Sequence, residues 1–361
     1  MNRIILIGNG FDLAHGLKTS YRDFIDDFWE KEKQKIVARI ENKNIYHSIH
    51  YVDEYIEVKS TEQPCVLLQK ASVYNGFNWF NSMQTSTLKV ISQHRTQETN
   101  IYYKNRFLKQ ISEKSILKNW VDIEEEYFFV LTQNYKNLDD VKILHNDFRA
   151  IQDLLVDYLQ EIKENRCNKP QNIEKYIFSP LNPDDFIELL EPNKDIEKII
   201  FLNFNYTPTV NLYNYGRTIP CELIHIHGEL GNEENPIIFG YGNERDEQYT
   251  LIEKQNRNEL LPFIKSFRYS INNNYRNVIR HINSTDFQVF IFGHSCGLSD
   301  GTLLSRIFEH KNCKSIKIFF YKESDEKDNF NDTYMNISRH FKDKERMREI
   351  VISKEKSFSY C

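Results

Sequence analysis

The sequence predicts an α/β protein with a Rossmann-like, mostly parallel sheet. Short, fully apolar runs occur at the start of the chain and again beyond residue 196. Runs of about four to six apolar residues suit strands that are buried on both faces of a parallel sheet. Each run ends in a glycine or polar cluster, and the stretch between them is polar and poor in glycine. This alternation predicts one sheet interrupted by a large insertion.

The first predicted strand covers residues 3–7, and the glycine turn at residues 8–10 ends it. Thr19 and Ser20 then provide a cap for a helix that starts with residues 21–30. These residues therefore predict a strand, a glycine turn and the start of a helix.

The stretch from about 20 to 170 is predicted to be a mainly helical insertion. It has no proline between Pro64 and Pro170. Within it, one amphipathic helix is marked by apolar residues at helical spacing, namely Ile151, Leu154, Leu155, Tyr158, Leu159 and Ile162. Residues 44–99 show no clean periodicity. We expect residues 1–20 and 171–361 to form the nucleotide-binding core, and residues 21–170 to form a lid or interaction region.

Further strands are expected at residues 198–202, 223–226, 237–239, 289–292 and 316–321, with a helix near 302–309. In an open α/β sheet, ligands bind outside the carboxyl ends of the strands. The polar clusters that follow these runs are therefore the candidates for a site.

Composition narrows the class of protein. The 361 residues carry 47 basic and 52 acidic side chains, a net charge of −5, which argues against binding nucleic acid or an anionic membrane through bulk charge. The six cysteines lack any zinc-binding spacing and are typical of reduced thiols in a cytoplasmic protein. No apolar stretch is long enough for a signal peptide or a membrane span.

The first candidate cluster follows the first strand and comprises Gly8, Asn9, Gly10, Phe11, Asp12 and His15. Two glycines after a strand allow the backbone to approach a phosphate, whose charge is favoured by exposed N–H groups. The full GxGxxG fingerprint is absent because Leu13 stands at its third glycine position. A tight structural turn is the alternative interpretation.

The second candidate cluster is the string Asn203, Phe204, Asn205, Tyr206 and Thr207. Asn203 and Asn205 are two residues apart at a strand end and so point to one side, where their amides can bind a sugar hydroxyl or a water. The alternative is that these residues close a turn and cap the next helix.

The third candidate cluster is His225, His227 and Gly228. Alternation places both imidazoles on one face of a strand, and a histidine at a strand tip can act as a general base near neutral pH. The pair can also hold a metal, with Asp12, His294 or Asp300 as the third ligand; we predict no metal. For His225, a core histidine bonded to backbone is the alternative.

The fourth candidate cluster spans residues 293–301 and includes Gly293, Ser295 and Asp300. A glycine and a serine at a strand end, followed by a helix cap, predict a nest for a nucleotide phosphate or ribose. The order Gly-x-Ser-x-Gly also matches a nucleophile elbow, but the acid and then histidine that an α/β-hydrolase needs are not evident after the serine. Only His310 and His340 follow. Together, the four clusters predict a nucleotide site.

These motifs resemble the bacteriophage abortive-infection family AbiH. The resemblance rests on residues 8–17 with Thr19, Ser20 and Tyr21, on residues 203–207, 225–228 and 293–300, and on Trp120, Asp122, Ile123 and Glu124. It implies a bacterial antiphage protein that shuts down the infected cell.

A more distant resemblance is to the sirtuin-like NAD-consuming domains of other phage-defence systems, and it implies a sirtuin-like topology of the sheet. By this resemblance, Gly8 and Gly10 hold the pyrophosphate, Asn205 orients the ribose or the attacking water, and His227 is the base. The implied reaction is hydrolysis of NAD at the nicotinamide–ribose bond, with NAD as the substrate and no cofactor required.

The same resemblance places Ser295 at the adenine ribose, whereas Asp300 matches only loosely. Thr207 stands where sirtuins have an aspartate, so the acidic partner is missing. The zinc-binding cysteine module of protein deacylases is also absent, so deacylation of lysine is not expected.

Two other functions stay open at this point. The first is a binding module that senses a nucleotide without turning it over. The second is a metal-dependent nuclease that uses His225, His227 and an aspartate. Because an unregulated NAD hydrolase would kill its host, we expect restraint by a homo-oligomer, a lid or a phage-derived trigger, and residues 40–120 are the expected place for it.

Overall fold

The structure is a computed structural model that describes residues 1–42, 48–61, 64–90, 99–117, 122–162, 168–188, 194–213, 218–324 and 326–360. The chain divides into two compact units. The core unit consists of Met1–Thr19, Tyr127–Val141 and Leu159–Cys361, and the insertion unit consists of Ser20–Glu126 and Lys142–Tyr158.

The strands of the described residues form two sheets. In chain order they are β1 (Asn2–Ile7), β2 (Ile49–Val52), β3 (Ile56–Ser60), β4 (Thr99–Tyr103), β5 (Lys198–Asn203), β6 (Cys221–His225), β7 (Phe287–Phe292), β8 (Cys313–Phe320) and β9 (Phe358–Ser359). Six of them form a parallel sheet with the order β6-β5-β1-β7-β8-β9. The other three form the antiparallel sheet β2-β3-β4.

The helices of the described residues are α1 (Asn9–Ala14), α2 (Tyr21–Asn42), α3 (Pro64–Val73), α4 (Gly76–Val90), α5 (Arg106–Leu117), α6 (Ile123–Asn134), α7 (Leu138–Ile162), α8 (Gln171–Ile177), α9 (Glu247–Glu253), α10 (Lys265–Arg268), α11 (Asn274–Ser284), α12 (Gly301–Phe308), α13 (Phe330–Arg339) and α14 (Lys344–Ile350). Among the residues that the structure describes, no helix is both long and apolar enough to cross a membrane.

The order of the parallel strands is that of a Rossmann sheet. Counted along the chain, the six strands are arranged 3-2-1-4-5-6, and the winding direction reverses between β1 and β7. The structure therefore confirms the predicted α/β class with a parallel sheet. Ligands of such sheets bind outside the carboxyl ends of the strands at this point of reversal.

The central strands carry continuous apolar runs, residues 4–7 in β1 and 289–292 in β7, because both of their faces are covered. Every residue of β1 and β7 is buried. Alternate side chains enter two separate apolar clusters, one with Ile4, Leu6, Val289 and Ile291 and the other with Ile5, Ile7, Phe290 and Phe292. Full burial on two faces explains why the sequence shows continuous apolar runs here instead of alternation.

The strands predicted at residues 198–202, 223–226, 289–292 and 316–321 and the helix at 302–309 are confirmed as β5, β6, β7, β8 and α12. The strand predicted at 237–239 is wrong. That segment is irregular, with the Ile238 N–H donating to the His227 carbonyl at 2.8 Å, and Gly240 beyond it packs on the Phe263 carbonyl. An apolar run that is buried in an irregular segment cannot be distinguished from a buried strand by composition alone.

The predicted start of α2 is also confirmed. The Asp23 N–H donates to Ser20 Oγ at 3.1 Å and the Ser20 N–H donates to Asp23 Oδ2 at 3.2 Å, which is a capping box. The predicted amphipathic helix is the second half of α7, where Ile151, Leu155, Tyr158 and Leu159 are buried. The β2-β3-β4 sheet was not predicted from the sequence; β2 and β3 lie within residues 44–99, the stretch without clean periodicity.

Three glycines allow the turns after β1 and β7 to touch. A Cβ on Gly8 would lie 2.4 Å from His294 Cα, and one on Gly10 would lie 2.8 Å from Gly293 Cα. A Cβ on Gly293, whose φ is +66°, would lie 2.1 Å from the Phe11 nitrogen. The Gly10 N–H donates to the Gly293 carbonyl at 2.8 Å. These positions require glycine because the two backbones are in direct contact.

We expect Gly293→Ala to lower the free energy of unfolding by about 3 kcal/mol or more, the sum of a left-handed backbone and a steric clash. The matched control is Gly231→Ala, since Gly231 has a similar φ of +77° but no atom within 4 Å of the added Cβ. The control should lose only about 1 kcal/mol. Urea unfolding followed by circular dichroism measures both, and equal losses would contradict the packing argument.

Candidate functional site

The candidate site lies in the core unit, where the carboxyl ends of β1, β5, β6 and β7 meet. Two groups of polar side chains occupy this edge. The Asp300 group consists of His227, Lys265, His294 and Asp300, and the Asp12 group consists of Asp12, Asn203, Asn205, Thr207 and His225. Every member is less than one-tenth exposed.

The Asp300 carboxylate is the centre of its group. Its Oδ1 accepts a hydrogen bond from Lys265 Nζ at 2.8 Å and lies 3.0 Å from His227 Nε2, and its Oδ2 lies 3.5 Å from His294 Nε2. Burial acts to raise the pKa of Asp300, but the Lys265 ammonium and the two imidazoles outweigh it and hold that pKa well below its usual range. Asp300 is therefore a carboxylate at neutral pH.

His227 follows β6 in a turn and is neutral at pH 7. Burial and the positive charge of Lys265 lower the pKa of His227 to about 4, although Asp300 acts in the opposite direction. The Nε2 atom lies 3.0 Å from Asp300 Oδ1 but makes no aligned hydrogen bond within the described part of the chain. With Nε2 facing a carboxylate, Nδ1 is the ring nitrogen left to accept a proton.

His294 is held in one tautomer by its own loop. Its Nδ1 accepts a hydrogen bond from the Cys296 N–H at 2.9 Å, so its proton lies on Nε2, which faces Asp300. The Phe204 ring packs edge-on against both imidazoles, with centroid distances of 5.1 Å to His227 and 4.2 Å to His294. Phe204 thereby fixes the orientation of both rings.

The loop after β7 carries local backbone strain at Cys296. Its φ is +54°, a left-handed conformation that costs a non-glycine residue about 1–2 kcal/mol. The Cys296 N–H donates to His294 Nδ1, and the Cys296 carbonyl accepts a hydrogen bond from His340 Nε2–H at 2.8 Å. Burial raises the pKa of the Cys296 thiol far above its ordinary value, so the thiol is no nucleophile. Strain of this kind is concentrated at functional sites.

Asp12 is a buried carboxyl in α1. Its Oδ2 accepts a hydrogen bond from the Thr207 hydroxyl, whereas its Oδ1 has no hydrogen-bond partner among the described residues. Burial raises the pKa of Asp12 to about 6, with the Thr207 and Thr209 hydroxyls offsetting only part of this effect. At neutral pH Asp12 therefore carries a negative charge that its hydrogen bonds compensate only in part.

The two asparagines at the end of β5, Asn203 and Asn205, hold neighbouring turns together. Asn203 Oδ1 accepts from the Asn205 N–H at 3.1 Å, and Asn203 Nδ2 lies 3.1 Å from His225 Nδ1. Asn205 Nδ2 donates to the Gly8 carbonyl at 3.0 Å, which leaves its Oδ1 as the atom suited to a ligand. Asn203 therefore closes the turn after β5, which was the alternative interpretation of this string. Asn205 connects that turn to Gly8.

His225 and His227 do not share one strand face, so that expectation is corrected. The strand β6 ends at His225, which places His227 in the following turn. His225 contacts Asn203 and lies 3.8 Å from Glu229, while His227 reaches Asp300. In the described residues there is no group of three His, Cys, Asp or Glu side chains suited to a metal ion.

The backbone donors expected to hold a phosphate are used within the protein. The Gly8 N–H donates to the Phe292 carbonyl at 3.1 Å, and the Gly10 N–H donates to Gly293. Phosphate binding by Gly8 and Gly10 stays a prediction and requires these bonds to change. Gly228 has a φ of +87° and packs on the Pro236 carbonyl, which gives it a structural role as well.

The remaining predicted residues differ in their surroundings. His15 lies between the Phe11 carbonyl and the Tyr213 hydroxyl, at 2.6 Å and 2.7 Å, and is fully buried. Asn9 is exposed, and its Oδ1 accepts from Thr19 at 2.5 Å. Ser295 is exposed beside the buried Asp300 group. His15 thus supports the turn, while Asn9 and Ser295 are accessible to a ligand.

The family model for bacteriophage abortive infection AbiH matches residues 4–322. The match includes every member of the Asp12 and Asp300 groups. This chain belongs to the AbiH family. The resemblance seen in the sequence is confirmed, and membership indicates an antiphage role in abortive infection. A search of curated proteins found no match.

Some residues that mark AbiH in the sequence belong to the insertion unit. Asp122 caps α6 of this AbiH chain, since its Oδ1 accepts the Glu124 and Glu125 N–H groups at 3.0 and 3.1 Å. Trp120 lies outside the described residues. The likeness to sirtuin-like domains remains a prediction.

Lys265 is the member of the AbiH site that sequence reading missed. It follows a short apolar stretch and starts α10, and a single lysine carries no periodic signal. Its partner Asp300 is 35 residues away in the chain. The pair of glycines at 240 and 242, which pack beside residues 263 and 265, is the only pattern that could have indicated this position.

The buried Asp12 carboxyl predicts a pH-dependent cost to stability. A rise of its pKa from 3.8 to about 6 on folding corresponds to about 3 kcal/mol, absent below pH 4 and fully present above pH 6. Asp12→Asn should therefore stabilise the AbiH protein at pH 7.5 relative to the wild type, and this gain should shrink towards pH 4.5. Urea unfolding at both pH values measures it. The control is the exposed Asp332→Asn on α13, and a gain independent of pH would contradict the assignment.

Proposed function

We propose that this AbiH protein is a cytoplasmic antiphage effector that binds NAD and hydrolyses its nicotinamide–ribose bond. The observation that carries the proposal is the neutral His227 imidazole beside the ionised Asp300, at the carboxyl edge of a Rossmann sheet. Asn205 follows Phe204, which touches both His227 and His294. Phe204 therefore connects the proposed base, His227, with the proposed positioning amide, Asn205.

The chemistry needs few groups. The bond between ribose C1′ and the nicotinamide nitrogen breaks, and nicotinamide departs with the bonding electron pair as a neutral base. Water attacks the oxocarbenium-like C1′ and releases one proton. Since the leaving group needs no proton, a single general base suffices, in contrast to the paired carboxylates of sugar-acetal hydrolysis.

In this proposal, His227 Nδ1 accepts the proton of the attacking water, and the Asp300 carboxylate stabilises the imidazolium that forms. Asn205 Oδ1 accepts a hydrogen bond from a ribose hydroxyl or from the water, because its Nδ2 already donates to Gly8. The products are nicotinamide, ADP-ribose and one proton. Neither a metal nor a further cofactor enters this sequence of steps.

The burial of the site fits a second candidate function as well as the first. All members of the Asp12 and Asp300 groups are less than one-tenth exposed, so NAD reaches them only after a local rearrangement of a neighbouring turn. This burial suits a resting effector that a phage-derived trigger or a change of oligomer activates. It suits equally a module that senses a nucleotide and signals without turnover.

The proposal predicts the fate of NAD in infected cells and with purified protein. His227→Ala and Asn205→Ala should each reduce formation of nicotinamide and ADP-ribose at least 100-fold, the usual scale for loss of a general base or positioning group. His50→Ala is the matched control, because His50 is an exposed histidine of the insertion unit that pairs with Glu57. Chromatography of nucleotides, before and during phage infection, measures the products.

The alternatives give different results in the same samples. Full NAD consumption by His227→Ala would overturn the proposed mechanism. NAD that stays intact but binds with measurable heat in calorimetry would establish the sensing module. Degraded nucleic acid that a chelator protects would instead support the metal-dependent nuclease.

A further inference from the structure

We propose that Lys265 is a positioning residue for the Asp300–His227 pair, and that it keeps Asp300 as a carboxylate and His227 as an unprotonated base. This inference rests on the proposed function for its role in catalysis. The arrangement of the charges, however, is a property of the folded chain and can be tested separately.

The geometry places Lys265 directly on the shared carboxylate. The Asp300 Oδ1 atom accepts from Lys265 Nζ at 2.8 Å and also lies 3.0 Å from His227 Nε2. The Lys265 side chain is fully buried. Burial of an ammonium and a carboxylate costs several kcal/mol each, and apolar residues of similar volume often give equal or greater stability. Stability alone therefore does not explain a lysine here.

The surrounding backbone is built to admit this side chain. The Lys265 N–H donates to the Tyr241 carbonyl at 2.8 Å, and the Tyr241 N–H donates to the Phe263 carbonyl at 3.0 Å. A Cβ on Gly242 would lie 3.1 Å from Lys265 Cβ and 3.3 Å from its Cδ. One on Gly240 would lie 2.1 Å from the Phe263 carbonyl oxygen. The two glycines thus leave room for the lysine stem and its strand-like segment.

The groups that act on a proton at His227 are Lys265, Asp300 and His294. Lys265 and His294 disfavour protonation of His227, whereas Asp300 favours it. If Lys265 were neutral, Asp300 and a protonated His227 would form a stable buried ion pair. Such a pair has no free base. Lys265 therefore ensures that a proton taken from water is released again.

The first test follows the titration of His227 by NMR of histidine-labelled protein. Lys265→Met should raise the pH of half-protonation of His227 by about one to two units, since it removes a nearby like charge. The control is Lys254→Met, because Lys254 is an exposed lysine at the end of α9. A change of less than about 0.3 units, within ordinary scatter, would overturn the proposal.

A second variant protects the test against misfolding. Lys265→Met leaves Asp300 buried without its cation, which is strongly destabilising. Lys265→Arg keeps a cation beside Asp300 and leaves no lone charge. The pH of half-protonation of His227 in Lys265→Arg should stay within about 0.3 units of the wild-type value. A rise as large as that expected for Lys265→Met would overturn the proposal, because the positive charge would then not be the cause.

Activity separates this inference from the proposed function. If the wild type consumes NAD, its rate should be constant above about pH 5, whereas Lys265→Met should lose activity as the pH falls through the raised pKa of His227. Loss of rate at all pH values with no shift of the profile would indicate a merely structural role. If the wild type never consumes NAD, the glycohydrolase proposal fails, and the NMR titration still decides the role of Lys265.

Discussion

The contact between the turn after β1 and the turn after β7 determines the geometry of the site. The Gly8 and Gly10 N–H groups donate to the carbonyls of Phe292 and Gly293, so the pairing of the two strands continues past their ends. Only glycines allow this approach. The contact sets His294 beside Gly8 and starts the loop that leads to Asp300. The glycine turn therefore positions the residues of the candidate site, whether or not it also binds a phosphate.

The second constraint is electrostatic. A buried carboxylate is retained as an anion only where opposite charge or several N–H groups surround it. Asp300 has the Lys265 ammonium and two imidazoles, which explains why its pKa is lowered in spite of full burial. Among the described residues Asp12 has hydroxyl partners and no cation, and burial raises its pKa. The two aspartates at one sheet edge are thus both ionised at neutral pH but differ in pKa, because their partners differ.

Residue patterns predicted the parallel sheet well and the insertion only in part. β1 and β7 were predictable because burial on both faces leaves continuous apolar runs. The β2-β3-β4 sheet was missed because each of its strands is short, and Val52 is apolar yet exposed, which breaks the alternation. Residues 237–239 are apolar and largely buried but form an irregular segment, so the strand predicted there was wrong. Local composition does not distinguish a buried strand from a buried irregular segment.

The candidate site could likewise be predicted from the sequence only in part. Residues that follow a strand, such as Asn205, His227 and Asp300, were predictable because the topology brings carboxyl ends together. Lys265 was not, because it starts a short helix and reaches Asp300 across 35 residues of chain. Nor could spacing alone show that β6 ends at His225 and leaves His227 in a turn. Long-range pairing and exact strand ends depend on the whole fold.

Two energetic costs lie at this one edge of the sheet. Cys296 holds a left-handed backbone conformation, and Asp12 keeps a carboxyl oxygen without a hydrogen-bond partner in the described residues. They come from segments nearly 300 residues apart in sequence. Proteins under selection for stability alone lose such features readily, since glycine removes the first and asparagine the second. Their convergence beside the Asp300 group marks this edge as the candidate site on grounds that do not depend on the proposed reaction.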